Sequence, residues 1–79
     1  MMWITDAEKA NGTYEILIKF NDGKNVIVDL KNTIENDHRP IIRDLLDLNT
    51  FNSFTVANDT ICWENGVDFA PEYLYENGK

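Results

Sequence analysis

The sequence predicts a small α+β domain: an antiparallel β-meander and a second β-hairpin packed against one main helix, closed by a short C-terminal helical turn. Three observations predict it. A chain of 79 residues is one domain, residues 1–79, because roughly 100 to 200 residues are usual for each domain. Apolar residues alternate at period two from Tyr14 to Phe20 and from Val26 to Leu30, the spacing that puts every second side chain on one face of a strand, and turn pairs bound further strand-like stretches at Trp3 to Ala10 and Phe51 to Trp63. Between these stretches the apolar residues from Ile41 to Leu48 recur at helical spacing.

The first strand is expected over Trp3 to Ala10, ending at Asn11-Gly12, a pair favoured where a turn needs positive φ. The second is expected from Tyr14 to Phe20, with Tyr14, Ile16, Ile18 and Phe20 on the core face and Glu15, Leu17 and Lys19 on the other. Asn21-Asp22-Gly23 turns the chain into a third strand, where Val26, Val28 and Leu30 alternate with Ile27 and Asp29. Polar residues Lys31 to Asp37 lead to His38-Arg39-Pro40, and Pro40 suits a first helical turn, where its missing N–H is not needed. The main helix is expected from Pro40 to Leu48. Its buried stripe is Ile41, Leu45 and Leu48, widened by Ile42 and Leu46, with Arg43, Asp44 and Asp47 facing water. Phe51, Phe54 and Val56 lead to Asn58-Asp59, from which Thr60 to Trp63 return as the second hairpin. Asn65-Gly66 breaks that hairpin, Pro71 to Tyr75 form the last helical turn, and Glu76 to Lys79 are expected to fray.

Charge narrows the function. Seven Lys and Arg stand against fourteen Asp and Glu, a net charge of −7. Such a chain repels phosphate backbones, which disfavours direct nucleic-acid binding. The excess sits in residues 44 to 79, where seven acids meet only Lys79. No run reaches the ~20 apolar residues of a membrane span, and Met1 to Ile4 meet Asp6 and Glu8 before a signal peptide could form. A cytoplasmic location is expected, and it suits the one cysteine, Cys62, which can form neither an internal disulfide nor a multi-cysteine zinc site.

Catalytic chemistry finds little purchase. A nucleophilic Cys62 needs a base, and His38 is the only histidine; a packing role is the stronger reading of that thiol. Asp44 and Asp47, at i and i+3, could share a divalent cation, although solvated surface is the commoner fate of such a pair. No calcium loop, paired-histidine motif or phosphate-cradling glycine loop is present. No catalytic residue, cofactor or metal site is therefore expected.

The densest cluster runs from Trp63 to Tyr75, with four aromatic residues, a turn pair and a helix opener. A structural account has Trp63 and Phe69 sealing the core, Asn65-Gly66 turning the chain and Asp68 accepting backbone N–H bonds near Pro71. A functional account makes Glu64, Asn65, Asp68, Glu72, Tyr73 and Tyr75 a protein-contact surface, because aromatic residues concentrate at the energetic centre of interfaces. The structural account is the stronger, since a small domain needs its large side chains inside. Two partner readings follow. One is a basic protein partner met through charge complementarity. The other is a homodimer built through the unpaired strand of Trp3 to Ala10 or through Tyr73 and Tyr75.

The same cluster resembles a bacterial family, domain of unknown function 2442, whose members carry Trp-Pro-Asn-Gly-Ala-Asp, a Pro-containing turn and Leu-Tyr. The matching residues are Trp63, Asn65, Gly66, Asp68, Pro71, Leu74 and Tyr75. Phe20-Asn21-Asp22-Gly23, Val28-Asp29-Leu30 and the spaced Leu48, Phe51, Phe54 and Val56 extend the likeness over nearly the whole chain. The departures are Glu64 for proline, Val67 for alanine and a longer polar insert at Lys31 to Asp37. The resemblance implies a compact α+β domain with one main helix and no established activity. It implies an interaction module, regulatory or antitoxin-like, encoded beside another small protein or joined to a helix-turn-helix segment. No such segment follows Tyr75 here, so any DNA contact would come from the partner.

Overall fold

A computed structural model describes residues 1–10 and 12–79. Strand β1 (Ile4–Lys9) pairs antiparallel with β2 (Glu15–Phe20), which pairs antiparallel with β3 (Asn25–Asp29), in the order β1-β2-β3. Asn11 of the expected first turn lies outside the described residues, while Gly12 has a φ of 81°. Gly23 makes the second turn at a φ of 87°, a region open to glycine for want of a Cβ. A bulge between Ile4 and Asp6 shifts the β1 register, and the Thr5 hydroxyl donates to the Lys19 carbonyl at 3.2 Å there.

The period-two reading holds in β2 and β3, whereas the bulge in β1 leaves Ile4 buried and Ala7 half-buried without strict alternation. Ile16, Ile18, Phe20, Val26 and Val28 are buried, and the alternate Leu17 and Ile27 are exposed cross-strand partners. Ile4, Leu30, Leu45, Phe51, Ile61, Trp63 and Leu74 close the same core. Each such side chain removed from water contributes about 1.5–3 kcal/mol.

The helical layer departs from the expected single helix. Helix α1 (Lys31–Glu35) forms where a polar lead-in was expected, and it drops Ile34 into the core. Pro40 opens α2 (Pro40–Arg43) as expected, but the chain then tightens into a 3₁₀ turn at Asp44–Leu46. At Asp47 it swings to extended backbone, and α3 (Leu48–Phe51) restarts beyond it. The cause is local chemistry. The Asp47 carboxylate accepts from the backbone N–H groups of Asn49 at 2.8 Å and Thr50 at 3.3 Å, an N-cap where a continuous helix would have had solvent-facing surface. With the 3.6-residue register lost, Ile42 and Leu45 are buried, Leu48 is only half-buried and Ile41 is 41% exposed.

The second hairpin, β4 (Thr55–Ala57) and β5 (Thr60–Cys62), turns at Asn58 and Asp59, whose φ values of 53° and 70° fit a primed two-residue turn. The Asp59 backbone carbonyl accepts from Ile4 N–H at 2.9 Å, which ties this hairpin to the start of β1. Helix α4 (Pro71–Asn77) is longer than the expected single turn. The tail beyond it does not fray. Lys79 N–H donates to Ile27 at 2.9 Å and its carbonyl accepts from Ile27 N–H at 3.2 Å, so the tail covers the outer edge of β3. Gly78 permits this, because a Cβ there would lie 2.7 Å from that of Val26.

Candidate functional site

The C-terminal cluster is built inward from Trp63, which is 4% exposed and donates from its indole N–H to the Phe51 carbonyl at 2.8 Å. The rings of Phe51, Phe54 and Phe69 pack around it at centroid distances of 5.8, 6.1 and 5.9 Å. Gly66, at a φ of 94°, turns the chain so that Trp63 N–H reaches the Val67 carbonyl at 2.9 Å. Val67 is itself buried.

Of the six residues of the candidate surface, Asn65 is spoken for. Its amide donates to the Ile41 carbonyl at 3.1 Å and its oxygen accepts from Val67 N–H at 3.1 Å, which locks the turn to α2. Glu64, Asp68 and Glu72 are exposed. Asp68 does not cap the last helix as expected: the N-cap is Ala70, without a side-chain bond, and Asp68 instead forms an isolated antiparallel bridge with Cys62. The two tyrosines take different neighbours. Tyr73, 37% exposed, stacks on Phe69 with centroids 5.9 Å apart, and its hydroxyl lies 3.0 Å from that of Thr33 on α1. Tyr75, half-buried, packs edge-on against Phe20 at 4.9 Å. Its hydroxyl donates to Asp22 at 3.1 Å, and the Lys24 ammonium sits 5.0 Å from its ring centroid. Tyr75 thus clamps the β2–β3 turn. Glu64, Asp68, Glu72 and Tyr73 remain as the outward-facing members of the cluster.

The charge pattern is one-sided. Asp44, Asp47, Asp59, Glu64, Asp68, Glu72 and Glu76 are all exposed. Among the described residues the one ion pair is Arg39 with Asp37, at 2.9 Å in the N-terminal half. The Arg39 guanidinium and backbone N–H, hydrogen-bonded to the Asp37 carboxylate, hold its pKa at about 2 instead of 3.8. The same bonds raise the pKa of Arg39.

Residues weighed for chemistry do not converge. Cys62 is half-buried with its Sγ 3.7 Å from the Thr55 hydroxyl, and His38 is exposed beside the Arg39 pair. Asp47 spends its carboxylate on the α3 cap. Among the described residues no three His, Cys, Asp or Glu side chains are grouped to hold a metal ion, and no helix is long and apolar enough to cross a membrane.

Two features were passed over in the sequence. Leu17 and Ile27, 40% and 48% exposed, face each other on the outer pleat of the sheet, as their period-two positions allow. A cleft of about 450 Å³ lies along β1, lined by Ala7, Glu8, Lys9, Asn52 and Phe54. Among the described residues Asn52 carries the one buried side-chain oxygen without a hydrogen-bond partner, and its approach to β1 joins distant segments that no local pattern signals.

A family model described as "Protein of unknown function (DUF2442)" matches residues 9–79. No curated protein and no solved structure gives a significant match.

Proposed function

The chain belongs to the family of proteins of unknown function DUF2442, and on that premise we propose that it is a non-catalytic protein-binding module, regulatory or antitoxin-like, with a basic protein as its partner. One observation carries the reading: all seven carboxylate residues from Asp44 to Glu76 are exposed, and none has an ion-pair partner among the described residues. Charges left unpaired on a folded surface set up a field that steers an oppositely charged partner and raises its association rate. Glu64, Asp68 and Glu72 with the half-open ring of Tyr73 offer that field an aromatic contact. The same field opposes direct contact with nucleic acid, so any DNA binding would pass through the partner.

A homo-oligomeric reading draws on the strand Ile4–Lys9 at one edge of the sheet. Antiparallel pairing of two such strands keeps each face continuous, and it sets Asp6 and Glu8 of one copy against Glu8 and Asp6 of the other. Like charges placed directly opposite destabilise a strand pair. Light scattering over a wide concentration range separates the readings: the heterotypic one expects a monomer throughout, and a dimer that persists on dilution contradicts it.

Co-purification from the source organism in low and high salt tests the proposal itself. A basic protein retained in low salt and released in high salt is the expected result, since exposed charge pairs are screened beyond about 8 Å at physiological ionic strength. A chain that runs alone under both conditions contradicts it.

A further inference from the structure

The three-stranded sheet has two edges, and they are treated differently. The β3 edge is covered by the chain's own tail, through the paired bonds of Lys79 with Ile27. Among the described residues the β1 edge makes its one outward backbone bond at its start, where Ile4 N–H donates to the Asp59 carbonyl, and the β4–β5 hairpin lies close beside it. Ala10 N–H donates to Glu15, so by the alternation of an antiparallel ladder Asp6 and Glu8 also turn their backbone groups toward β2, while Ala7 and Lys9 turn theirs away. One of the outward groups is already met. Asp6 folds its own carboxylate back to accept from Ala7 N–H at 2.9 Å, standing where the carbonyl of a neighbouring strand would be. Along this edge runs the cleft bordered by Asn52 and Phe54, with the Asn52 side-chain oxygen buried and unpartnered.

We propose that the β1 edge at Ala7 to Lys9 is a strand-acceptor site for an extended segment of the protein partner that carries Lys or Arg at alternate positions. Strand addition supplies main-chain bonds for affinity and alternate side chains for specificity. Both properties are present here. On the outer pleat Asp6 and Glu8, both exposed, would face the alternate residues of an added strand about 4.8 Å away, close enough for a base at those positions to neutralise them. A base opposite Asp6 also draws that carboxylate off Ala7 N–H and opens the edge. The intervening residues of the added strand lie over the cleft, where a base would meet Lys9. Self-pairing lacks this complementarity, because it sets acids against acids, so the occupant is a different, basic chain. The inference rests on the protein-binding reading above and gives it a mode of contact.

The test titrates the ¹⁵N-labelled full chain with an acetylated, amidated Lys-Thr-Lys-Thr-Lys-Thr-Lys peptide in about 50 mM salt, where surface charges are weakly screened. Amide shifts at Ala7 to Lys9 and on the Asn52 side chain are expected, with slowed hydrogen exchange at Lys9. The exposed-site variant Glu8→Lys is expected to weaken binding about tenfold or more by placing like charges opposite. Equal binding by that variant, equal shifts with a Glu-Thr peptide, or no shift at millimolar peptide overturns the proposal. Shifts confined to Glu64, Asp68 and Glu72 also overturn it, yet leave the protein-binding reading intact. Conversely, a chain that runs alone in the co-purification removes the protein-binding reading and, with it, the partner segment proposed here, even where the peptide docks at β1.

Discussion

Trp63 does two things for the fold at once: it fills a four-ring cluster and satisfies the Phe51 carbonyl. Truncation to Ala should cost about 3–5 kcal/mol from lost burial together with the cavity left behind, a large share of the total for a domain of this size. Urea denaturation of Trp63→Ala measures it, and a variant as stable as the parent would mean that the ring is not core. Asp37 offers a second reading at this scale. Its pKa is lowered from 3.8 to about 2 by the Arg39 bonds, so the fold favours the ionised carboxylate. The stabilisation is therefore complete above about pH 4 and is lost as the pH falls through about 2. Carboxyl NMR titration should find Asp37 near 2 in the parent and back toward 3.8 in Arg39→Gln; an unmoved value would remove Arg39 as the cause. At single residues the sequence is legible wherever chemistry is local. The roles of Asn65-Gly66 and of Trp63 follow from residue type, whereas the grip of Tyr75 on Asp22 spans 53 positions and has no local signature.

Elements were legible where apolar alternation is strong and ambiguous where short polar motifs compete with it. The meander and the second hairpin follow from period two and from Asn-Asp-Gly and Asn-Asp turns. The helical stripe from Ile41 to Leu48 was half right, because an aspartate inside a helical pattern can serve the solvent face or restart the helix as a cap, and Asp47 does the second. Helix α1 has one buried apolar residue, Ile34, too little for periodicity to register. The tail is the clearest departure, since a polar stretch read as frayed is held by backbone bonds that carry no side-chain signal. Gly78 makes that docking sensitive to one methyl group. Gly78→Ala would force a Cβ to 2.7 Å from Val26 Cβ and 3.1 Å from Val28 Cγ2, and overpacking of this kind costs about 1–3 kcal/mol. Faster amide exchange at Ile27 is the expected sign that the tail has lifted; unchanged protection there would show that the tail does not depend on this close approach.

For the whole molecule, small size and charge asymmetry act together. A chain of 79 residues spends its large side chains on one core, and among the charges it leaves outside acids outnumber bases. The sequence displayed that asymmetry directly, and it located the aromatic cluster. It could not show that the cluster divides, with Trp63, Asn65 and Tyr75 holding the fold while Glu64, Asp68, Glu72 and Tyr73 face solvent, because the division depends on which segments meet in space. If recognition runs through this acidic side, reversing its charge should abolish partner capture without disturbing the core. The measurement is retention of the basic partner from the source organism by the Glu64→Lys, Glu72→Lys double variant, compared with the parent chain in low salt. Loss of the partner by a variant whose melting temperature matches the parent's is the predicted result, and undiminished retention would contradict the account.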